Sequence, residues 1–95
     1  MSTCRICGCT DVDCTWCVVL TGEPCSWTEP DLCSTCAGMG KTDEQRAKRR
    51  GRIAHDKAYA RARGAPGAEA LFAHRDRMLR VWARINVRRT RRAAT

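Results

Sequence analysis

The sequence predicts a small α+β protein, with a cysteine-rich head that carries a short β-hairpin and a basic α-helical hairpin behind it. Three observations predict this. All eight cysteines of the 95-residue chain lie between Cys4 and Cys36. Charge divides at nearly the same place: residues 1–40 hold one base and five acids, for −4, whereas residues 41–95 hold seventeen bases and five acids, for +12. Finally, small and apolar residues recur at helical spacing only in the second half. The chain therefore reads as two segments, 1–40 and 41–95. A head of this size has too little apolar material for a self-sufficient core and needs cross-links of some kind.

The thiols supply them. They read Cys4-Arg-Ile-Cys7-Gly-Cys9, Cys14-Thr-Trp-Cys17, a lone Cys25, and Cys33-Ser-Thr-Cys36. Two residues between cysteines let both sulfurs of a tight turn face one ion, so three such pairs in a short stretch indicate thiolate metal ligation. A disulfide framework is the competing reading. It is disfavoured because Met1-Ser-Thr runs straight into Cys4 without the charged and apolar regions of a secretory leader. The expected fold is thus a small metal-stabilised α+β one, with a zinc-ribbon or treble-clef-like finger at its head. Cys4, Cys7, Cys33 and Cys36 group as one site, because a knuckle and a closing CxxC flank the intervening hairpin. Cys9, Cys14, Cys17 and Cys25 complete a second. A cross-braced arrangement, exchanging Cys14 and Cys17 with an outer pair, is the alternative partition. Two zinc ions are the expected cofactors, since Zn²⁺ accepts any tetrahedral Cys4 cage. Iron-sulfur ligation fits less well, because the CxxCxC start departs from the ferredoxin run of CxxC steps.

Within the head, Gly8 allows the turn behind Cys7. Thr15 to Leu20, rich in β-branched and aromatic residues, is the expected strand, with a turn at Thr21-Gly-Glu-Pro24 and a return strand at Cys25 to Thr28. Asp31 is the expected cap of a helical turn that presents Cys33 and Cys36.

The strings Cys-Arg-Ile-Cys-Gly-Cys-Thr at 4–10 and Glu-Pro-Asp-Leu-Cys-Ser-Thr-Cys at 29–36 resemble a family of small cysteine-rich, zinc-finger-like proteins of bacteriophages and prophages. The resemblance covers roughly the first 38 residues. It implies a phage setting and a metal site rather than an activity. In that setting the protein would work in the bacterial host cytoplasm.

Gly40-Lys41-Thr42 ends like a phosphate-binding loop, but Thr35 stands where that pattern requires glycine, and a cysteine knuckle precedes it instead of a strand. A glycine hinge is the better reading. Thr42 then caps a helix with Gln45 three residues on, and Asp43 and Glu44 sit at the positive end of its dipole. This helix should run to about Arg63, where Gly64-Ala-Pro-Gly67 stops it, with a seam of small residues at Ala47, Gly51, Ala54, Ala58 and Ala62. A second helix should start near Ala68 and continue towards Arg92. Leu71, His74, Met78, Val81, Trp82 and Ile85 form its packing side, with Phe72 and Leu79 at the edge.

Arg77, Arg80, Arg84, Arg88 and Arg91 gather on the other side of that helix within an arc of about 80° on a helical wheel. So many like charges repel unless something anionic lies along them, and guanidinium pairs well with phosphate. Together with Arg49, Arg50 and Arg52 they are the candidate nucleic-acid-binding residues, and transcription regulation is the process expected of them. The alternative partner is a protein complex, such as host RNA polymerase or another phage component, met by the acidic finger through Trp16 and Trp27.

His55 and His74 lie on helices far along the chain from the thiols and are not expected ligands, and His74 reads as a packing or interface residue. With no Ser/His/Asp set, no paired carboxylates and no redox-type CxxC in a βαβ context, an enzyme and a small-molecule substrate are not expected. No apolar run approaches spanning length, so a cytoplasmic protein without membrane contact is expected.

Overall fold

The structure is a computed structural model that describes residues 2–64 and 66–94, with side-chain surroundings given as far as Thr90. The elements in order are α1 (Thr15–Thr21), β1 (Trp27–Glu29), β2 (Leu32–Cys33), α2 (Ser34–Ala37), α3 (Asp43–Arg61) and α4 (Ala68–Ala94). The protein is a small α+β structure whose sheet is one two-stranded antiparallel hairpin. Among the described residues no helix is long and apolar enough to cross a membrane.

The hairpin is not where strand propensity puts it. Thr15–Thr21 is helical, and the strand at Trp27–Glu29 pairs forward with Leu32–Cys33 around Pro30 and Asp31. The reason lies in side-chain direction. Residues three apart point to opposite faces of a strand but to one face of a helix, so only a helical turn brings Cys14 and Cys17 to the same side. The Asp13 carboxylate accepts from both the backbone N–H (3.1 Å) and the hydroxyl (2.6 Å) of Thr15, which starts the turn. Cys17 and Leu20 are then buried while Val18 faces outwards. At the far end the Gly22 N–H caps the Val18 carbonyl. Burial of one sulfur and one leucine outweighs the β preference of two valines, which is a difference of well under about 1 kcal/mol per residue.

The helical hairpin follows its seam. The Thr42 hydroxyl accepts from the Gln45 N–H at 3.2 Å, and the Gln45 amide oxygen accepts from the Lys41 N–H at 3.0 Å, so two otherwise unpaired donors are satisfied. Ala47, Gly51, Ala54 and Ala58 are buried against α4, whereas Ala62 lies past the helix end and is exposed. Facing them, Leu71, His74, Met78 and Val81 are buried. Phe72, Trp82 and Ile85 are half-buried, and Leu79 is exposed. Gly51 sets the helix separation: a Cβ placed there would lie 3.4 Å from the Met78 Cβ.

Head and hairpin share one core. Cys4, Ile6, Cys7, Cys9, Cys17, Leu32, Cys33 and Cys36 form a continuous buried cluster with Ala47 of α3 and Met78 and Val81 of α4. At the surface, Arg5 adds an ionic tie. Its Nε donates to Asp43 at 2.9 Å and its Nη1 to Asp31 at 2.6 Å. These groups are about one-third or more exposed, so the tie serves registration more than stability.

Gly51→Leu should force the two helices apart. The expected loss is about 1–3 kcal/mol from overpacking, measured as a lower urea midpoint; an unchanged midpoint would mean that the seam is not the contact that sets the hairpin.

Candidate metal centre

Each cysteine is placed by a local device. In the first knuckle the Cys4 N–H bonds the Cys9 carbonyl at 2.8 Å and the Gly8 N–H bonds the Cys4 carbonyl at 3.0 Å, which curls the chain so that Cys4 and Cys7 face inwards. Gly8 has φ of 81° and lies under the Arg77 guanidinium, where a Cβ would come within 2.3 Å of Nη2. The positive φ favours glycine, and a larger residue would also displace the Arg77 guanidinium. Cys33 ends β2 and caps α2: its Sγ accepts from the Cys36 N–H at 3.4 Å, which turns the second CxxC back on itself. That role falls to the cysteine itself and not to Asp31, whose carboxylate is engaged by Arg5. Cys14 and Cys17 flank the first turn of α1, and Cys25 reaches them from the loop before β1, its N–H donating to the Cys14 Sγ at 3.3 Å.

The result is two groups of four sulfurs, Cys4, Cys7, Cys33 and Cys36 in one, and Cys9, Cys14, Cys17 and Cys25 in the other. Within each group all the sulfurs lie within 4.8 Å of one another. All eight cysteines are free thiols. A tetrahedral ion with sulfur ligands at about 2.3 Å holds its sulfurs about 3.8 Å apart. Cys7 and Cys33 stand at 3.6 Å, Cys9 and Cys17 at 3.2 Å, and Cys14 and Cys25 at 3.0 Å. These separations exceed the roughly 2.05 Å of a disulfide and lie about 0.2–0.8 Å inside the edge of a metal tetrahedron, so ion binding needs only a small spreading of the sulfurs. Both groups therefore fit a metal ion, and two ions per chain match the arrangement.

The groups also touch. Cys17 Sγ, in the inner tetrad, lies 4.0 Å from Cys7 and 3.9 Å from Cys33 of the outer one. They differ in exposure: all four outer cysteines are buried, but Cys14 and Cys25 of the inner tetrad are only half-buried.

Sulfurs crowded this way share protons unequally. Contacts with Cys33, Cys7 and Cys9 hold the Cys17 thiol well below its ordinary range, helped by the Arg50 charge, whereas contacts with Cys33, Cys4 and Cys7 push Cys36 well above it. A dication replaces this proton sharing by making every sulfur a thiolate.

Arg50 is the residue that sequence reasoning misplaced. The sequence puts it among the candidate nucleic-acid-binding residues, yet its accessibility is 0%. Its Nη1 donates to the Cys17 Sγ at 3.5 Å, and its Nε and Nη2 lie 3.2 Å and 3.0 Å from the His74 Nε2. Burial opposes its charge, but Cys36, Cys7 and Cys17 more than compensate and raise its pKa. A signal was present: Arg50 lies on the same helical stripe as Ala47, Gly51 and Ala54, which places it inside. His74 is pushed down to about 4, first by burial and then by the Arg50 charge, so it is a neutral acceptor for Arg50. It also lies against Trp16, with ring centroids 5.4 Å apart.

The other expected site residues fall in separate places. Arg77 is half-buried and its Nε donates to the Cys7 carbonyl at 3.0 Å, so it clamps the knuckle. Arg80, Arg84 and Arg88 are exposed on α4, and Arg49 and Arg52 on α3. The Arg91 side chain lies outside the described residues. Trp16 and Trp27 are half-buried against the sulfur core, and the Trp27 Nε1 donates to Asp11 at 2.5 Å. His55 is exposed beside Asp56. Comparison with family models, curated proteins and solved structures found no match to the chain.

Arg50→Met keeps the volume but leaves Cys17 and His74 without their buried partner. The expected cost is about 3–5 kcal/mol, with faster loss of metal to a competing chelator, while Arg50→Lys recovers part of both. Wild-type melting and metal-loss rates in Arg50→Met would contradict the assignment.

Proposed function

We propose that the protein is a small zinc-binding regulatory protein that associates with the backbone of nucleic acid through its arginine-rich helices. Cys4, Cys7, Cys33 and Cys36 would hold one zinc ion, and Cys9, Cys14, Cys17 and Cys25 a second. Bound zinc supplies cross-linking and no redox chemistry. It makes the short head rigid enough to hold α3 and α4 in a fixed relation.

The observation that carries the nucleic-acid reading is the row Arg80, Arg84 and Arg88. These side chains repeat every four residues on the exposed face of α4 and extend for about 12 Å along it at 1.5 Å per residue. They face solvent without a carboxylate partner among the described ion pairs, unlike Arg89, which bonds Glu44 at 2.6 Å. Exposed Arg49 and Arg52 add to the basic character of the helical hairpin. Such contacts position a protein on phosphates without reading bases. The head has the opposite sign, because two dications on eight thiolates add about −4 to its acidic side chains. It would therefore face away from the polyanion. The resemblance at residues 4–10 and 29–36 suggests a phage or prophage setting for this role.

One feature favours a second reading, an adaptor that grips a host or phage protein complex by its head. Val12 is 82% exposed and Val18 42% exposed, and both border a groove flanked by Asp11 and Asp13. An acidic rim around exposed valines suits a basic, apolar protein surface.

Salt separates the two. Replacing Arg80, Arg84 and Arg88 together by glutamine should lower the slope of log affinity for duplex DNA against log salt by about 3, with the helical circular dichroism signal unchanged. Failure of the wild-type protein to bind any DNA or RNA at low salt would overturn the nucleic-acid reading and leave the adaptor.

A further inference from the structure

The two tetrads are unequal in a way that their metal-binding role does not require. Every sulfur of the outer tetrad is buried, and so are Cys9 and Cys17 of the inner one. Cys14 and Cys25 are half-buried, and their sulfurs stand 3.0 Å apart. Cys9 and Cys17 come within 3.2 Å, and Cys7 and Cys33 within 3.6 Å, but at 1% exposure or less. Cys14 and Cys25 thus combine close approach with access. Cys14 further lines the solvent-facing groove bordered by Val12, Val18 and Pro24, the side from which a small polar oxidant approaches.

We propose that Cys14 and Cys25 are a peroxide-oxidisable pair, and that their oxidation releases the inner metal ion while the outer ion stays. The proposal rests on the reading that each tetrad holds a metal. In the first step the Cys14 thiolate attacks hydrogen peroxide: an S–O bond forms, the O–O bond breaks, and hydroxide leaves, giving a sulfenic acid. In the second, the Cys25 thiolate attacks that sulfur, an S–S bond forms, the S–O bond breaks, and a second hydroxide leaves. Two thiolates have lost two electrons in total, and peroxide has taken them up. The sulfurs move from 3.0 Å to about 2.05 Å, a shift that the loop carrying Cys25 can absorb. The ion keeps two of its four ligands, Cys9 and Cys17, and is lost to solvent. The outer tetrad has no comparably exposed sulfur, and its ion remains with the β-hairpin, α2 and the core under α3 and α4.

The test uses the metal-loaded full-length protein, purified without oxygen and treated with increasing hydrogen peroxide. Metal freed into the filtrate is measured by elemental analysis, and disulfides are located by alkylation and peptide mass mapping. The expected result is one ion released per chain, a Cys14–Cys25 disulfide as the first product, and helical circular dichroism preserved. Dithiothreitol with added metal should then restore two ions. Release of both ions together, a first disulfide involving Cys4, Cys7, Cys33 or Cys36, or thiols that all survive excess peroxide would each overturn the proposal. Protein that carries no metal before treatment contradicts the metal reading itself, and the identity of the first disulfide then still decides whether Cys14 and Cys25 are the oxidisable pair.

Discussion

Crowding of sulfur is the constraint from which the rest of the structure follows. Eight cysteines occupy a head whose other buried side chains are few, chiefly Ile6, Leu20 and Leu32. So few apolar side chains cannot by themselves order a segment of this length. Thiols packed without a cation add only weak hydrogen bonds and uneven proton sharing. Two dications would convert the same crowding into the main source of folding free energy, since structural zinc sites are worth about 10–16 kcal/mol at neutral pH. Because Cys17 touches Cys7 and Cys33, the two groups cannot be charged independently.

Net negative charge in a buried place calls for a buried counter-charge, and Arg50 is it. The guanidinium is fully enclosed and reaches Cys17, while its remaining donors go to His74. Through this side chain and Arg77, which bonds the Cys7 carbonyl, each long helix is fastened to the sulfur cluster. The helical hairpin is therefore the outer wall of the candidate metal centre and not a loosely tethered arm. Its arginines divide by position: Arg50 reaches a sulfur and Arg77 a knuckle carbonyl, whereas Arg80, Arg84 and Arg88 face solvent.

Much of this was legible in the sequence, and the illegible parts share a cause. The CxxC pairs were legible from their spacing, because two intervening residues let both sulfurs of a turn face one point, but the choice between the two partitions of those pairs came from the fold. The helix cap at Thr42, the small-residue seam and the packing face of α4 followed from helical periodicity. What failed was local preference where a long-range demand overrides it. Thr15 to Leu20 has the composition of a strand, yet the joint burial of Cys17 and Leu20 and the meeting of Cys14 with Cys17 require a helix. Arg50 has the composition of a surface, yet it lies inside, bonded to the Cys17 sulfur and His74. Asp31 looks like a cap, but a sulfur accepts the N–H in its place. In each case the sulfur cluster decides, and its three-dimensional position was the one thing the linear pattern did not contain.

Bound metal is the most direct test of how the head is held together. Native mass spectrometry of the purified full-length chain counts bound ions and, from the mass, the protons they displaced. Two zinc ions per chain are predicted, with unfolding of the head once both are removed by a chelator. A metal-free mass with the fold intact, or a mass lowered by the hydrogens of internal disulfides, would contradict it.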